Sequence, residues 1–447
     1  MITYKEDFLL EENSYKNIYA CLVKEKDLKD KNFGLRIPLI KIDSKNITKL
    51  IEEKYLNLDE GFLTLTKNLE KYLNIKFSSI YKAKYRYLQL FKKNKANIVF
   101  LRIISISLTK KQKESIKLFN SFIINNGYIK IDNLKLKINT FTKKITYLAG
   151  VIAGDGHLDR RECSLVICDG QSNKKDLLLS KIYLYNISKI FNIEFNITGS
   201  IENFENYWVY YVNNKWLCRF FNYYFDIPFG KKSDVIKFPT HLHSRYGKYF
   251  WRGIMDTDGY ISKYNKQIIL KSGSLVLLNQ FRDFCNKNNI QTDIRKEIRG
   301  WSIRVLTVSI LNYAELVGFS HPRKKSILIK YLKEGSKYKV LKSINFTNSP
   351  DLFALFKYLR PYKTSVYIKL DEFGRKANRE DIENKIKLIK EKFNVRIGEI
   401  KRNRHNNHFY INSKKFTDFV RDNAIYGLPW QSLNDNKIKE LSKKWIL

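Results

Sequence analysis

Acids are what this chain is short of. Only 44 of its 447 residues are Asp or Glu, against 83 Lys or Arg, which leaves a formal charge of +39. Such an imbalance favours a polyanionic partner, because Lys and Arg displace counterions from phosphates. Cysteine is scarce and scattered: Cys21, Cys163, Cys168, Cys218 and Cys285 form no CxxC pair, and their number is odd. That excludes a disulfide framework and points to reduced thiols inside a cell. Long apolar runs are missing too. The longest, Ile98–Leu108, is interrupted by Arg102 and is too short to span a bilayer. Met1-Ile2-Thr3-Tyr4-Lys5-Glu6-Asp7 lacks the charged-then-apolar build of a signal peptide. The expectation is therefore a soluble intracellular protein of the cytoplasm, nucleoid or an organelle matrix, with no membrane partner. Hydrophobic residues at 44% and aromatics at 14% are too many for a disordered chain and suffice for two to four domains.

One pattern occurs twice. Leu148-Ala149-Gly150-Val151-Ile152-Ala153-Gly154-Asp155-Gly156 is matched by Trp251-Arg252-Gly253-Ile254-Met255-Asp256-Thr257-Asp258-Gly259. Read as helices, each copy places small residues four apart on one face: Gly150 with Gly154, and Gly253 with Thr257. Such faces let two backbones approach closely. Gly156 and Gly259 suit the left-handed position that ends a helix. Packed side by side, the two helices would present Asp155 and Asp258 at adjacent C-termini. An anion there is opposed by the helix dipole, at about 0.3–1 kcal/mol, and the second carboxylate adds repulsion. A cation must offset this. Two hard oxygen donors without His or Cys beside them favour Mg²⁺, with Mn²⁺ as a substitute. Gly154 and Thr257, which immediately precede the acids, belong to the same expected metal set. Water and a substrate phosphate would fill the remaining positions, an arrangement suited to in-line phosphodiester displacement.

The repetition extends beyond the motifs. After Asp155 come a strand Cys163–Cys168, a helix Lys174–Phe191, strands near Ile193–Ile201 and Tyr207–Val212, and a helix Lys215–Phe225. After Asp258 the order recurs as Gln267–Leu270, Ser274–Asn288, Gln291–Ile298, Trp301–Val308 and Ile310–Val317. A third copy begins at Ser365–Leu370 and continues through Asp381–Phe393, Val395–Ile400, His408–Ile411 and Lys414–Asp422. Where its motif helix would sit, Leu352–Pro361 has no Asp-Gly ending and offers no third acid. Antiparallel sheets backed by helices make this an α+β chain. Lys330–Ser349 reads as a linker. The predicted domains are 1–140, a basic mixed or helical domain; 141–240 and 241–335, the two motif halves; and 350–447, a degenerate third repeat that assists DNA binding. Within the first, Leu65–Ile75 and Ile80–Leu90, joined by Lys76-Phe77-Ser78-Ser79, suit a helix-turn-helix with Lys82, Lys84 and Arg86 on the reading helix.

The paired nonapeptides resemble the LAGLIDADG signature, and the stretch from Ile145 to Leu332 resembles the monomeric two-motif homing endonucleases of that family. The resemblance implies two pseudo-symmetric αββαββα halves joined through the motif helices, with saddle-shaped sheets lying in the DNA major groove. It implies metal binding by Asp155 and Asp258 and hydrolysis of one phosphodiester on each strand of a long asymmetric duplex target, as in intron homing. It further implies a basic residue near each metal; Lys232 or Lys237 in the first half and Lys324 or Lys325 in the second stand in the right neighbourhood, with Lys232, Lys237 and Lys325 taken as the catalytic candidates. Ala153 stands where the motif often has an acid, and Trp251-Arg252 replaces Leu-Ala, departures that bear on packing more than on chemistry. Along the alternating strands, Arg295, Lys296, Arg299 and Arg304, then Arg396, Lys401, Arg402 and Arg404, are the expected DNA contacts. His157 reads as strand structure, and the His241–His243 pair lacks the neighbours a zinc site needs. Neither chain end has an intein's residues, so a free-standing protein is expected. The alternatives are an RNA-binding intron maturase of the same fold and a decayed protein that only binds DNA.

Overall fold

The computed structural model of the chain describes residues 22–23, 37–73, 75–109, 112–123, 128–137, 141–170, 173–239, 242–262, 267–336, 340–345, 356, 359–368, 379–402 and 409–446. They fall into two compact units, one within Met1–Leu306, Asn312–Leu328 and Glu440–Leu447, the other within Thr307–Leu311 and Ile329–Lys439. Among the described residues no helix is long and apolar enough to cross a membrane.

The N-terminal part of the first unit holds helices α1 (Ser44–Lys54), α2 (Leu58–Leu73), α3 (Ile80–Lys92), α4 (Ile98–Leu108) and α5 (Gln112–Ile123). The same part holds a sheet of β1 (Leu39–Lys41), β2 (Lys95–Asn97), β3 (Tyr128–Ile131) and β4 (Leu134–Lys137), in the order β2-β1-β3-β4. The apolar run foreseen as too short for a bilayer is α4, a core helix buried on all sides from Ile98 to Ser105. Its Arg102 donates to Ser115 Oγ at 3.1 Å, which makes that burial tolerable. Two helices do flank the expected tight turn. Ser79 caps α3 by accepting from Lys82 N at 3.3 Å. Lys84 turns inward to an ion pair with Asp59 of α2 at 2.7 Å, while Lys82 and Arg86 stay exposed.

Two similar halves come next in the chain. The first comprises α6 (Lys143–Ala153), β5 (Gly156–Leu158), β6 (Ser164–Gly170), α7 (Lys174–Phe195), β7 (Ser200–Phe204), β8 (Tyr207–Asn213) and α8 (Lys215–Phe225). The second comprises α9 (Gly247–Thr257), β9 (Gly259–Ile261), β10 (Ile268–Ser272), α10 (Leu275–Lys287), β11 (Thr292–Lys296), β12 (Trp301–Val305) and α11 (Ile310–Leu316), with α12 (Pro322–Glu334) beyond. Their antiparallel sheets run β5-β6-β8-β7 and β9-β10-β12-β11, the same first-second-fourth-third order. Alternation gives each sheet a buried face: Leu165, Ile167, Tyr210 and Val212 face the helices, and Tyr210 stacks on Phe191 of α7 at 5.2 Å.

The second unit carries β13 (Val340–Ile344), β14 (Leu359–Tyr362), β15 (Ser365–Ile368), α13 (Arg379–Phe393), β16 (Ile400–Arg402), β17 (Phe409–Asn412), α14 (Lys414–Asn423) and β18 (Ala424–Gly427). Its main sheet runs β14-β15-β17-β16, again first-second-fourth-third. α15 (Asp435–Lys444) completes the described elements.

Several boundaries differ from those read off the sequence. The helix foreseen to end at Phe191 continues to Phe195, because both rings are fully buried on one apolar face; it stops only where Asn196 turns left-handed (φ 55°). The strand expected from Ile193 accordingly starts at Ser200. The supposed linker Lys330–Ser349 contains the end of α12 and the strand β13, which pairs with β18. Leu359–Pro361, expected in a helical position, is edge strand, where a proline is tolerated. Residues 352–355, 357 and 358 of that segment lie outside the described residues.

Candidate active site

The motif helices α6 and α9 cross where their glycines meet. A Cβ on Gly150 would lie 2.0 Å from the Phe250 carbonyl oxygen, and one on Gly253 would lie 2.4 Å from that of Tyr147. One turn on, Gly154 faces Thr257, whose hydroxyl donates to the Gly253 and Ile254 carbonyls at 3.0 Å each. The glycines after the acids are required for a different reason from the one expected. Gly156 and Gly259 are not left-handed; they open β5 and β9, and a Cβ on either would strike the preceding turn, 2.4 Å from Ile152 Cα or 2.3 Å from the Met255 carbonyl. Close approach, not φ, demands glycine there.

This crossing brings the carboxyls of Asp155 and Asp258 within hydrogen-bonding reach of each other. Asp155 keeps exposed surface and Asp258 is half-buried. Protein on the other sides withholds water. That desolvation raises both pKa values, Asp258 to about 7, with the Asp155 charge as its second cause. Two lysines oppose the rise. Lys232 Nζ donates to the Gly154 and Gly156 carbonyls, and Lys324 Nζ donates to those of Met255, Asp256 and Thr257 at 3.1, 2.6 and 2.8 Å. Lys324 thus satisfies carbonyls that the end of α9 leaves without partners, and Lys232 reaches the one just past α6 and that of Gly156 in β5, where the helix dipoles also favour a cation. Burial lowers the pKa of both lysines, that of Lys324 to about 8.

The other residues singled out by sequence are dispersed. Lys325 points elsewhere, its Nζ donating to the Ser442 carbonyl at 3.4 Å, so the geometry gives its place to Lys324. Consecutive helical residues diverge by roughly 100°, which allows only one of the two to reach the pair. Lys237 is exposed on the segment beyond buried Ile236. The carbonyls of Gly154 and Thr257 already accept from the lysines. Arg295 and Arg304 lie on the open face of the second sheet, drawn to Asp293 at 2.6 and 3.7 Å. Lys296 lies on the opposite face, opposite Trp301 and 5.9 Å over its ring. Arg299 is exposed in the β11–β12 turn, Arg396 is exposed before β16, and Lys401 is exposed opposite Tyr410. Arg402 belongs to β16; Arg404 and His241 lie outside the described residues. His157 is exposed on β5. The unusual Trp251-Arg252 pair is packed: Trp251 stacks on Phe238 at 5.3 Å, and buried Arg252 donates to the Val317 and Lys444 carbonyls.

Sequence reasoning missed a buried polar cluster beside the carboxylate pair. Asp256 accepts from Tyr147 Oη at 2.7 Å and from Ser320 N at 3.0 and 3.1 Å through its two oxygens. The Tyr183 hydroxyl lies 3.3 Å from that of Tyr147. His321, fully buried, meets Asp169 at 2.8 Å through Nε2 and lies against the Tyr183 ring at 4.5 Å. Burial pushes the Asp169 carboxyl up, but His321, Ser180 and Lys324 together hold it below its ordinary value. The signal was present in the sequence as a mismatch between the halves, at positions where one copy is polar and the other is not.

Residues 247–320, from the start of α9 to the loop before α12, match the family model described as "LAGLIDADG-like domain". No curated protein sequence matches the chain. Among solved structures it is similar to I-DmoI in complex with DNA and Ca, at 14% identity over 42% of this chain and 98% of that one, with a TM-score of 0.31. It is also similar to the homing endonuclease I-WcaI bound to its DNA recognition sequence (15% identity, 40% and 82% of the two chains, TM-score 0.29). A third likeness is to full-length DUF199/WhiA from Thermatoga maritima (15% identity, 43% and 62%, TM-score 0.29). Likenesses this partial add nothing to the chain's own geometry.

Proposed function

We propose that the chain is a site-specific DNA endonuclease of homing type that hydrolyses a phosphodiester on each strand of duplex DNA with a divalent cation. One observation carries this reading: two carboxyls from duplicated helices are held in mutual contact against their own repulsion. The donor set fits a hard cation. Among the described residues no three or more His, Cys, Asp or Glu side chains gather as ligands, so Asp155 and Asp258 would hold Mg²⁺ or Mn²⁺ with water and phosphate completing the shell. Bound there, the cation would lower the pKa of attacking water and offset charge on the leaving oxygen. Lys232 and Lys324, fixed on the helix-end carbonyls, stand beside the acids to stabilise charge developing on the phosphate. The open sheet faces, with Arg295 and Arg304, and the net charge of +39 would hold the duplex. The protein would act as a monomer, both halves of the site being in one chain.

Cleavage of a randomised duplex library with Mg²⁺ tests this. Wild type should give discrete double-strand cuts, and Asp155→Asn or Asp258→Asn should bind without cutting. Binding without cutting by the wild type would leave the splicing-cofactor or decayed reading in its place. Identical products from all three proteins would dismiss the assigned acids.

Lysine variants separate the two neighbours. Lys324→Met should lower the cleavage rate by about a hundredfold or more, the scale of losing one preorganised charge stabiliser. Lys325→Met should stay within about threefold, since an exchange near a surface carbonyl contact costs little. Single-turnover rates at saturating protein check both.

A further inference from the structure

Sheets of first-second-fourth-third order recur in both halves and in the second unit, and strand register defines a comparable row across the open face of each. In the first half the row is His157, Val166, Tyr211 and Ser200. In the second it is Tyr260, Ile269, Arg304 and Asp293. In the second unit it is Arg360, Tyr367, Tyr410 and Lys401. Of these rows, only the last has an aromatic ring on both central strands and a cation at both ends. Alternation turns the rings outward: Val366 and Ile368, which flank Tyr367, are buried, and so are Phe409 and Ile411 on either side of Tyr410. The two rings lie 6.0 Å apart, and Tyr362, 57% exposed, adds a third at 5.9 Å from Tyr367.

The charge on this face has one sign. None of the residues of β14, β15, β16 and β17 is acidic, whereas the other two open faces carry Glu202 and Asp293. Lys401 is exposed at one end of the row. Arg360 stands at the other, its guanidinium 5.2 Å over the Tyr426 ring. Lys363, exposed in the tight turn between β14 and β15, holds its ammonium 5.8 Å over the Tyr362 ring. Rings among cations suit a ligand that joins flat apolar surfaces to anions, as bases are joined to phosphates. Within a duplex the base faces are already stacked on one another, so only a single strand can offer them. Rings on the central strands of a four-stranded antiparallel sheet are also the arrangement that stacks two or three bases of RNA. The neighbouring row, Tyr362, Ser365 and Asn412, adds a means of telling the sugar. Ser365 Oγ donates to Asn412 Oδ1 at 2.9 Å, which leaves the Asn412 NH₂ as donor and the Ser365 oxygen as acceptor for a ribose 2′-hydroxyl. Deoxyribose lacks that group.

We infer that the open face of the β14-β15-β17-β16 sheet binds single-stranded RNA, stacking bases on Tyr410, Tyr367 and Tyr362 and meeting phosphates with Lys401, Arg360 and Lys363. The site lies wholly within the second unit, and the inference stands whether or not the acid pair cuts DNA.

Binding of the full-length protein to labelled oligouridylate of about twelve nucleotides, a length such faces accommodate, tests this near physiological salt. Oligodeoxyuridylate and a duplex of the same length are the comparison probes. Tyr367→Leu and Tyr410→Leu should each weaken RNA binding about tenfold, the scale of one lost stacked base, and the Phe variants, which keep the ring, should stay within about twofold. Wild type should bind the deoxy strand at least about fivefold more weakly than RNA, and Ser365→Ala with Asn412→Ala should remove that difference, the scale of a hydrogen bond lost. Duplex binding by the Leu variants should stay within about twofold of wild type, since distant sites act independently. Ultraviolet crosslinking of oligouridylate to the wild type should fall on Tyr362, Tyr367 or Tyr410, a readout that survives should a Leu variant fail to fold. Leu variants that keep RNA affinity, or that lose duplex affinity equally, would overturn the inference. So would crosslinks on other residues, or equal wild-type affinity for the two single strands.

Discussion

Asp258→Asn is expected to abolish cleavage and, without metal, to make the protein more stable. The two effects share a cause. In the folded chain Asp258 sits beside Asp155 in a desolvated crossing that raises its pKa to about 7 from an ordinary 3.8. Below about pH 4 the carboxyl is protonated folded or unfolded, and the wild type suffers no penalty. Between pH 4 and 7 the unfolded chain releases this proton while the folded one keeps it, so stability contributed by this group falls as pH rises. Above 7 both forms are ionised and the penalty is constant. A shift of this size corresponds to roughly 4 kcal/mol as a ceiling, and solvent on the open side screens it to about 1–2 kcal/mol. Asparagine keeps the shape and removes the charge. The advantage of Asp258→Asn in thermal midpoint, measured in EDTA, should therefore grow from near zero at pH 4 to a plateau above pH 7. Saturating Mg²⁺ should close or reverse it, because the cation stabilises only the wild-type site by mass action. Cleavage should fall by at least about a thousandfold, the scale of removing an essential charge-stabilising group. A variant no more stable than wild type at pH 8 in EDTA would mean that the carboxyls do not repel one another.

The centre of this site could be read from sequence because its requirements are local. Close helix crossing needs small residues four apart, and the acids follow just past the ends of the same helices, so Gly150, Gly253, Asp155 and Asp258 declare themselves within two short stretches. The strands β5 and β9 could not be read, since three residues are too few to show alternation. Lys324 was indistinguishable from Lys325 without knowing how α12 is rotated. His321 and Asp169 are 152 residues apart in sequence, and only the folding together of both halves makes them neighbours. The extra length of α7 was legible in principle, as the spacing of Phe191 and Phe195 keeps the helical period; the apolar-polar alternation beginning at Ile193 concealed it. Sites built by convergence of distant segments leave a trace in a duplicated chain only as a departure from the repeat. Ala153 against Asp256 is such a departure.

Gly150→Ala is expected to reverse the usual sign of its class. In a helix interior, exchanging Gly for Ala ordinarily stabilises by about 0.5–1 kcal/mol, because the unfolded chain loses freedom. Here the new methyl would lie 2.0 Å from the Phe250 carbonyl oxygen, 2.9 Å from its carbon and 3.1 Å from Gly253 Cα, all of them backbone. No rotamer relieves such a contact; α6 and α9 must separate. Overpacking that side chains absorb costs about 1–3 kcal/mol, and a clash between two backbones should exceed the upper figure. At roughly 2–4 °C per kcal/mol the midpoint should drop by about 6 °C or more. Gly154→Ala should be milder but still costly, since the Thr257 hydroxyl at 1.9 Å can turn away whereas its Cβ at 2.8 Å cannot. Separation of the helices would also part Asp155 from Asp258, so Mg²⁺ should stabilise Gly150→Ala far less than wild type. Urea unfolding with and without Mg²⁺ reads both consequences. Should Gly150→Ala prove as stable as wild type, the backbones do not touch, and the contact between the two acids that the crossing enforces would be lost with them.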